Sequence, residues 1–394
     1  MVVWKNSPDH STPITAENLA AAFAEPVADA RLPVTAQAAT LSATYAALRK
    51  PTAFGVPYTP YGSSYTEGTP ECPAGYVTAA SLALGTTALR NGGRGGSASV
   101  DLPYAYMRAA SSAYWDPGVS TGVISLELGV NDTGPTTAAN ATQMQIQFEE
   151  NLRLALRWFR ATALIPFTDP TVDLGAWELW NVTMEVMATD TYVTGTAGNI
   201  LTITPGGPSE IVFLPVVWRE ESNVQNGDFE VSVDGGPWRT GTTQHRGYPV
   251  AGTTKVYGFA SYRITNLTPT SVVRIKKTTG GAVQVLPYYL VMDNPTPPPI
   301  LLIQDVPLAA DGVEWPSPGA TAFTTNSTLE MFRVIMRRVA ASGEFNDGTV
   351  VIADPAPYWD YTTNLSTDNI HPNASGFAVY ADTVARAAQS FTGS

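Results

Sequence analysis

Ser64 stands in the run Tyr61-Gly62-Ser63-Ser64-Tyr65-Thr66-Glu67-Gly68, and His371 in Asp368-Asn369-Ile370-His371-Pro372-Asn373. A serine hydroxyl becomes a useful nucleophile only when a base takes its proton, and imidazole suits that task near neutral pH. The base needs a partner that fixes its tautomer, and Asp368, three residues upstream, can reach back to the ring. Pro372 stiffens the chain just beyond. With 3 histidines in the chain, one in such company is informative.

Two further blocks could serve the same chemistry. Asn91-Gly92-Gly93-Arg94-Gly95-Gly96-Ser97 lets backbone N–H groups approach a ligand closely, as an oxyanion hole requires. Gly129-Val130-Asn131-Asp132 follows the apolar run Val123-Ile124-Ser125-Leu126-Glu127-Leu128. That run reads as a buried strand, and ligands gather at strand carboxyl ends of open α/β sheets. An Asn131 amide there can donate to a developing oxyanion.

Each block alone has an ordinary explanation. Gly-Ser-Ser is a common loop, the glycine run a flexible loop, Asn-Asp a turn and Asp/His a surface pair. A phosphate cradle fits poorly, because no Lys-Ser/Thr follows the glycines and the dinucleotide spacing is absent. The G-x-S-x-G elbow does not fit either, since Thr66 fills its last position.

The elements that must position these residues follow from hydrophobic periodicity. Residues 50–168 read as α/β, with a helix burying Met144, Phe148, Leu152, Ala155, Leu156 and Phe159 on one face. Val56-Pro57-Tyr58-Thr59-Pro60, just before the serine block, makes a poor strand. Residues 169–298 read as an all-β module, a sandwich or jelly roll, with hairpins expected at Asp234-Gly235-Gly236 and Thr279-Gly280-Gly281. Its Trp177, Trp180, Trp218 and Trp238 are candidates for stacking on sugars. Pro295, Pro297, Pro298 and Pro299 form a stiff exit. Residues 299–394 resume the α/β pattern, with strands at 300–303 and 350–353 and helices at 329–341 and around Phe377, Tyr380, Val384 and Ala387. Residues 1–49 carry Thr15 as the cap of a short amphipathic helix with Glu17, Leu19, Ala22 and Phe23. This segment is expected to dock on a partner or on the catalytic domain.

Composition bounds the function. The 394 residues suffice for two domains, and 44% hydrophobic content builds a sizeable core. A net charge of −12 argues against nucleic acid and against an anionic membrane surface. Cys72 is the single cysteine, so neither an intramolecular disulfide nor a cysteine zinc site is expected. No apolar run reaches the ~18 residues of a membrane span. The start, Met1-Val2-Val3-Trp4-Lys5, lacks the pattern of a secretory signal, so a soluble protein made in the cytoplasm is expected.

Taken in order, the four blocks resemble the SGNH (GDSL-like) hydrolase family. Its members present Gly-Asp-Ser, an oxyanion Gly, Gly-x-Asn-Asp and a C-terminal Asp-x-x-His. The resemblance covers roughly residues 50–168 and 299–394. It implies a flavodoxin-like three-layer α/β sandwich, here with an inserted all-β domain and a short helical N-terminal segment. It also implies Ser64 as nucleophile, His371 as base and Asp368 as its orienter. The oxyanion hole would comprise the Ser64 N–H, the Gly96 N–H and the Asn131 amide. No metal or organic cofactor is implied. One departure is that Ser63 stands where the family has Asp.

The N-terminal segment is similar to the opening of bacteriophage minor tail proteins, on Trp4 and Thr12-Pro13-Ile14-Thr15-Ala16-Glu17-Asn18-Leu19. That similarity implies a virion location, contacts with other tail proteins, a homotrimer, and an ester on host surface polysaccharide or glycolipid as substrate. A lipid ester is the close alternative substrate. The alternative function is a receptor-binding or structural tail protein whose hydrolase fold is weak or inactive.

Overall fold

A computed structural model describes residues 55–99, 122–133, 136, 141–184, 187–218, 227–242, 257–306, 326–368 and 370–392. The N-terminal segment, 1–49, lies outside them.

Four parallel strands form the central sheet in the order β1 (Tyr58–Tyr61), β2 (Val123–Leu128), β3 (Ile300–Gln304) and β4 (Val350–Ala353). Segment 88–92 runs beside β1: Tyr58 N–H donates to Ala88 O, Arg90 N–H to Tyr58 O and Gly92 N–H to Pro60 O. Counting that segment, the sheet order is second, first, third, fourth, fifth. This order reverses between β1 and β2, where doubly wound sheets bind ligands. The poor strand expected before Ser64 is in fact the strand that delivers it. Its prolines serve as acceptors, Pro57 O from Val123 N–H and Pro60 O from Gly92 N–H, so a missing N–H does not break the pairing.

Helices cover both faces. β2 is buried throughout, and its side chains alternate between two cores. Ile124, Leu126 and Leu128 pack with Phe148 and Leu152 of α4 (Ala141–Arg160) and with Phe332 and Met336 of α5 (Asn326–Ala340). Val123 packs on the other face with α2 (Val77–Ala83) and α7 (Ala374–Ala388), through Val77, Ala80, Tyr380 and Val384. The short turns α1 (Ser64–Glu67), α3 (Val130–Thr133) and α6 (Tyr361–Asn364) complete the α/β part. Each strand therefore needs apolar residues at every position, which makes Ser125 and Glu127 conspicuous.

The β module is built on two packed antiparallel sheets, with a smaller three-stranded sheet (Val283–Val285, Met187–Thr194, Glu178–Met184) and a two-stranded one (Tyr257–Phe259, Val216–Trp218) beside them. One of the packed pair has five strands, ordered Arg239–Thr242, Gly227–Val233, Val273–Gly280, Ile200–Ile203 and Val172–Asp173; the other has four, ordered Tyr262–Thr265, Glu210–Phe213, Tyr288–Val291 and Ala163–Pro166. Phe213, Phe229, Leu201, Ile275 and Tyr289 fill the space between them. The sequence reading began the module at 169, but Ala163–Pro166 already pairs with Tyr288–Val291. The partner is too distant in the chain for any local pattern to reveal it.

The first expected hairpin forms, with Asp234 and Gly235 at φ 53 and 71. The second does not. Val283–Val285 leaves Val273–Gly280 after Gly280 and pairs with Met187–Thr194 instead. Of the candidate sugar platforms, Trp177 belongs to the module's core, Trp180 is 41% exposed, and Lys276 Nζ sits 4.1 Å over the Trp238 ring.

The module is joined to α4 by more than the chain. Leu214, Val216, Leu286 and Leu290 share a core with Leu154, Trp158 and Phe159. Arg157 donates to Glu344 (2.6 Å) and to Ser261 Oγ (2.5 Å), while Arg153 reaches Glu344 at 3.1 Å. Burial opposes ionisation of Glu344, but Arg157 and its neighbouring cations hold its carboxyl below the usual range. Glu344→Ala strands the Arg157 cation and is expected to lower unfolding free energy by about 2 kcal/mol, reduced from the fully buried case by partial solvent exposure. Urea denaturation checks this, and an unchanged midpoint would contradict it.

Candidate active site

β1 ends at Tyr61, and the chain turns through Gly62 into α1. A methyl group on Gly62 would fall 2.3 Å from Thr66 Oγ1 and 2.4 Å from Glu127 Oε2, so the turn admits only hydrogen. Ser63 caps α1, its side chain accepting from Tyr65 N–H at 3.3 Å. Ser64 is thereby the first residue of α1, three residues beyond the end of β1 at the sheet's carboxyl edge. Its own N–H has no partner among the described residues.

The structure brings Ser64, His371 and Asp368 into one chain of hydrogen bonds. Ser64 Oγ lies 2.8 Å from His371 Nε2, and His371 Nδ1 lies 2.6 Å from Asp368 Oδ2. An ionised Asp368 only accepts, so Nδ1 carries hydrogen and Nε2 is left to accept the serine proton. Asp368 Oδ1 also takes Ser366 Oγ–H (2.6 Å), Ile370 N–H (2.8 Å) and His371 N–H (2.9 Å). Burial works against the charged form, but these donors and the imidazole outweigh it and hold the carboxyl well below its ordinary value.

The loop that carries His371 is fixed at several points. Ser366 N–H donates to His371 O at 2.8 Å, and Asn373 caps α7 two residues later through Gly376 N–H. Tyr65, next to Ser64, donates its hydroxyl to Ile370 O at 2.5 Å, next to His371. Burial, followed by the nearby Asp305 and Glu127 carboxyls, pushes that hydroxyl far up, so it remains a donor. Tyr65→Phe leaves a carbonyl unpaired and is expected to destabilise by about 1 kcal/mol and slow turnover up to roughly tenfold. Steady-state kinetics and thermal unfolding check both, and a variant equal to the parent would contradict them.

The glycine block is stitched to the same turn. Arg94 N–H donates to Gly62 O at 2.9 Å, Asn91 Nδ2 to Thr66 O at 3.0 Å, and Gly95 N–H to the Glu67 carboxylate at 2.5 Å. Gly93 packs against backbone, where a methyl group would fall 2.3 Å from Glu67 N. Because Glu67 occupies the Gly95 N–H, that group is not available to a ligand. The Gly96 N–H, at φ 77, has no partner among the described residues. Asn131 lies on α3 just beyond β2 and gives one amide hydrogen to Ser97 O at 2.9 Å, while its second has no partner among the described residues. Asp132 takes Ser99 N–H and Ser99 Oγ–H. Gly96 and Asn131 are thus linked through Ser97 at the same sheet edge.

Glu127, Tyr65 and Glu67 were missed in the sequence reading. Glu127 had a signal: an acid in a strand buried on both faces is rare unless it is paired. Tyr65 and Glu67 had none, since their partners are 305 and 28 residues away. Among the described residues no His, Cys, Asp and Glu group has a metal-site arrangement, and no helix is long and apolar enough to cross a membrane.

No family model matches the chain, and no curated protein matches it. Among solved structures it is similar to the hemagglutinin-esterase of porcine torovirus, at 10% identity and TM-score 0.38, over 83% of this chain and 85% of that one. It is similar to the infectious salmon anemia virus hemagglutinin-esterase at 13% identity and TM-score 0.38, over 84% and 79%. A two-domain esterase active on acetylated mannans aligns with 60% of this chain and 91% of its own, at 10% identity and TM-score 0.31.

Proposed function

We propose that the chain is an SGNH-type serine esterase that removes acyl groups from bacterial surface polysaccharide or glycolipid. The observation that carries this is the Ser64–His371–Asp368 relay at the carboxyl edge of the sheet. His371 Nε2 takes the Ser64 proton as Oγ attacks the ester carbonyl. The tetrahedral oxyanion is met by N–H groups of Ser64 and Gly96 and by the free hydrogen of the Asn131 amide. Collapse expels the alcohol, which leaves with the proton from His371. Water, deprotonated by His371, then attacks the acyl-enzyme, and Ser64 recovers its proton as the acid departs. No step calls for a cofactor.

The setting we propose is a phage tail. It rests on the tail-like N-terminal segment, which would bind other tail proteins and bring with it a homotrimer. Trp180 supports a sugar-facing module, since its ring stands part-exposed on the β surface.

A fluorophosphonate should add one organophosphorus group to Ser64, and acetylated surface polysaccharide should release acetate. No adduct and no hydrolysis of p-nitrophenyl acetate would overturn the esterase. An adduct with p-nitrophenyl acetate hydrolysis, but no acid from polysaccharide or glycolipid, would discard the surface substrate alone.

A further inference from the structure

We infer that Glu127 and Asp305 form a buried carboxyl pair holding a single proton, and that this pair positions the nucleophile turn and the Asn131 turn together. The positioning half rests on the esterase reading above; the proton-sharing half does not.

Glu127 is fully buried on β2. Its carboxylate accepts three donors that bracket the nucleophile: Ser63 N–H at 2.7 Å, Ser63 Oγ–H at 2.8 Å and Thr66 Oγ1–H at 2.9 Å. Asp305, also fully buried, follows the end of β3, whose Ile303 is the register partner of Glu127. Strand alternation puts both acids on the face that α1 and α7 cover. Asp305 Oδ2 accepts the N–H of Val130, the residue before Asn131, at 2.7 Å. Among the described residues Asp305 Oδ1 is buried and meets no N–H or hydroxyl donor, and the neighbouring acid on the same face of the adjacent strand is Glu127.

Two carboxyl groups bond to each other only when one carries a proton. Glu127 already accepts three donors and Asp305 only one, so the proton belongs on Asp305, which donates it to Glu127. Burial pushes both acids upward, as expected where a second charge has no cation beside it. The ionisable groups around the pair are Tyr65 on α1, Tyr76 ahead of α2, Tyr380 on α7 and Asp132 on α3. Among the described residues none of these is a lysine or arginine. One anion with a neutral partner is the stable arrangement.

The pair joins the two turns through short links: Glu127 to the residues flanking Ser64, Asp305 to the residue before Asn131. It also answers the departure at position 63. The carboxylate beside the nucleophile comes from β2, and Ser63 supplies the hydroxyl that meets it.

The test compares Asp305→Asn with Glu127→Gln. An amide at 305 donates to Glu127 and accepts from Val130, so kcat should stay within about threefold of the parent. It also cannot ionise, so any alkaline fall of kcat due to loss of the shared proton should vanish. Glu127→Gln sets an amide donor against the three donors and should lower kcat about 100-fold with little change in KM, the effect of a misplaced turn. If that variant fails to fold, Asp305→Ala replaces it and should be at least tenfold slower than Asp305→Asn. Infrared difference spectroscopy at pH 7 should show a protonated-carboxyl C=O stretch in the parent that Asp305→Asn lacks. No such band overturns the pair whether or not the protein hydrolyses esters. Equal losses in Asp305→Asn and Glu127→Gln, or in Asp305→Asn and Asp305→Ala, overturn it too. A folded Glu127→Gln with parental kcat overturns the positioning role. A band in a protein that hydrolyses no ester keeps the pair, and the esterase reading falls with the role built on it.

Discussion

Ser64→Ala is expected to lower kcat for ester hydrolysis by about 10⁵–10⁶-fold while the protein stays folded. The substitution removes the only atom in the relay that can form the acyl-enzyme. The adjacent Ser63 cannot take its place. Its hydroxyl is buried and committed to Glu127 at 2.8 and 3.0 Å, away from the imidazole. The proposed oxyanion donors remain, so a residual acceleration of roughly 10³–10⁴ over water is expected. Ser64 also has an N–H without a partner among the described residues and sits at the start of a four-residue helix, where alanine is well tolerated. Burst kinetics with p-nitrophenyl acetate and circular dichroism are the measurements. A rate within tenfold of the parent would remove Ser64 from the chemistry.

Asp368→Asn is expected to cost about 10⁴-fold in kcat, by a different route. The amide oxygen can still accept from Ser366, Ile370 and His371 N–H, so the loop should hold its shape. The amide nitrogen then faces His371 Nδ1 and donates to it. That forces hydrogen onto Nε2, which can no longer receive the serine proton. The native carboxyl lies below its ordinary value, so it stays charged as pH falls through the usual carboxylate range. Its stabilising contribution is therefore full above that range and fades only as pH falls through the depressed value. Replacement should thus lower both kcat and the thermal unfolding midpoint at neutral pH, and the stability difference from the parent should shrink as pH falls through the depressed value. A variant within tenfold of the parent kcat would show that Asp368 does not set the tautomer.

How much of this was legible follows from where each signal lies. The period of α4 was readable because Met144, Phe148, Leu152 and Phe159 recur along one segment, and all are buried. Asp368 and His371 were readable because an acid three residues from a histidine is a local pattern. The role of Val56-Pro57-Tyr58-Thr59-Pro60 was not, because proline statistics say nothing about which carbonyls a neighbouring strand will use. Val283–Val285 was read as half of a hairpin because Thr279-Gly280-Gly281 is good turn chemistry. Its true partner is decided by packing across the module. Glu127 and Asp305 lie 178 residues apart in the numbering, so only the register of β2 against β3 could bring them together.

The strands that enter and leave the β module, Ala163–Pro166 and Tyr288–Val291, pair with one another. This bears on how the chain assembles. The central sheet must join Leu126 to Leu302, a contact whose closure entropy rises with the length of loose chain between them. Once the module has folded, its two ends are neighbours, and the loose chain shrinks to the short segments on either side. Each halving of that length is worth about 0.6 kcal/mol of loop closure. The module can then act as a clamp that makes a distant parallel pairing nearly local, and the expected order of events is module first, central sheet second. Substitutions that loosen the module's core should slow refolding of the α/β half, leaving the chemistry of molecules that do fold unchanged.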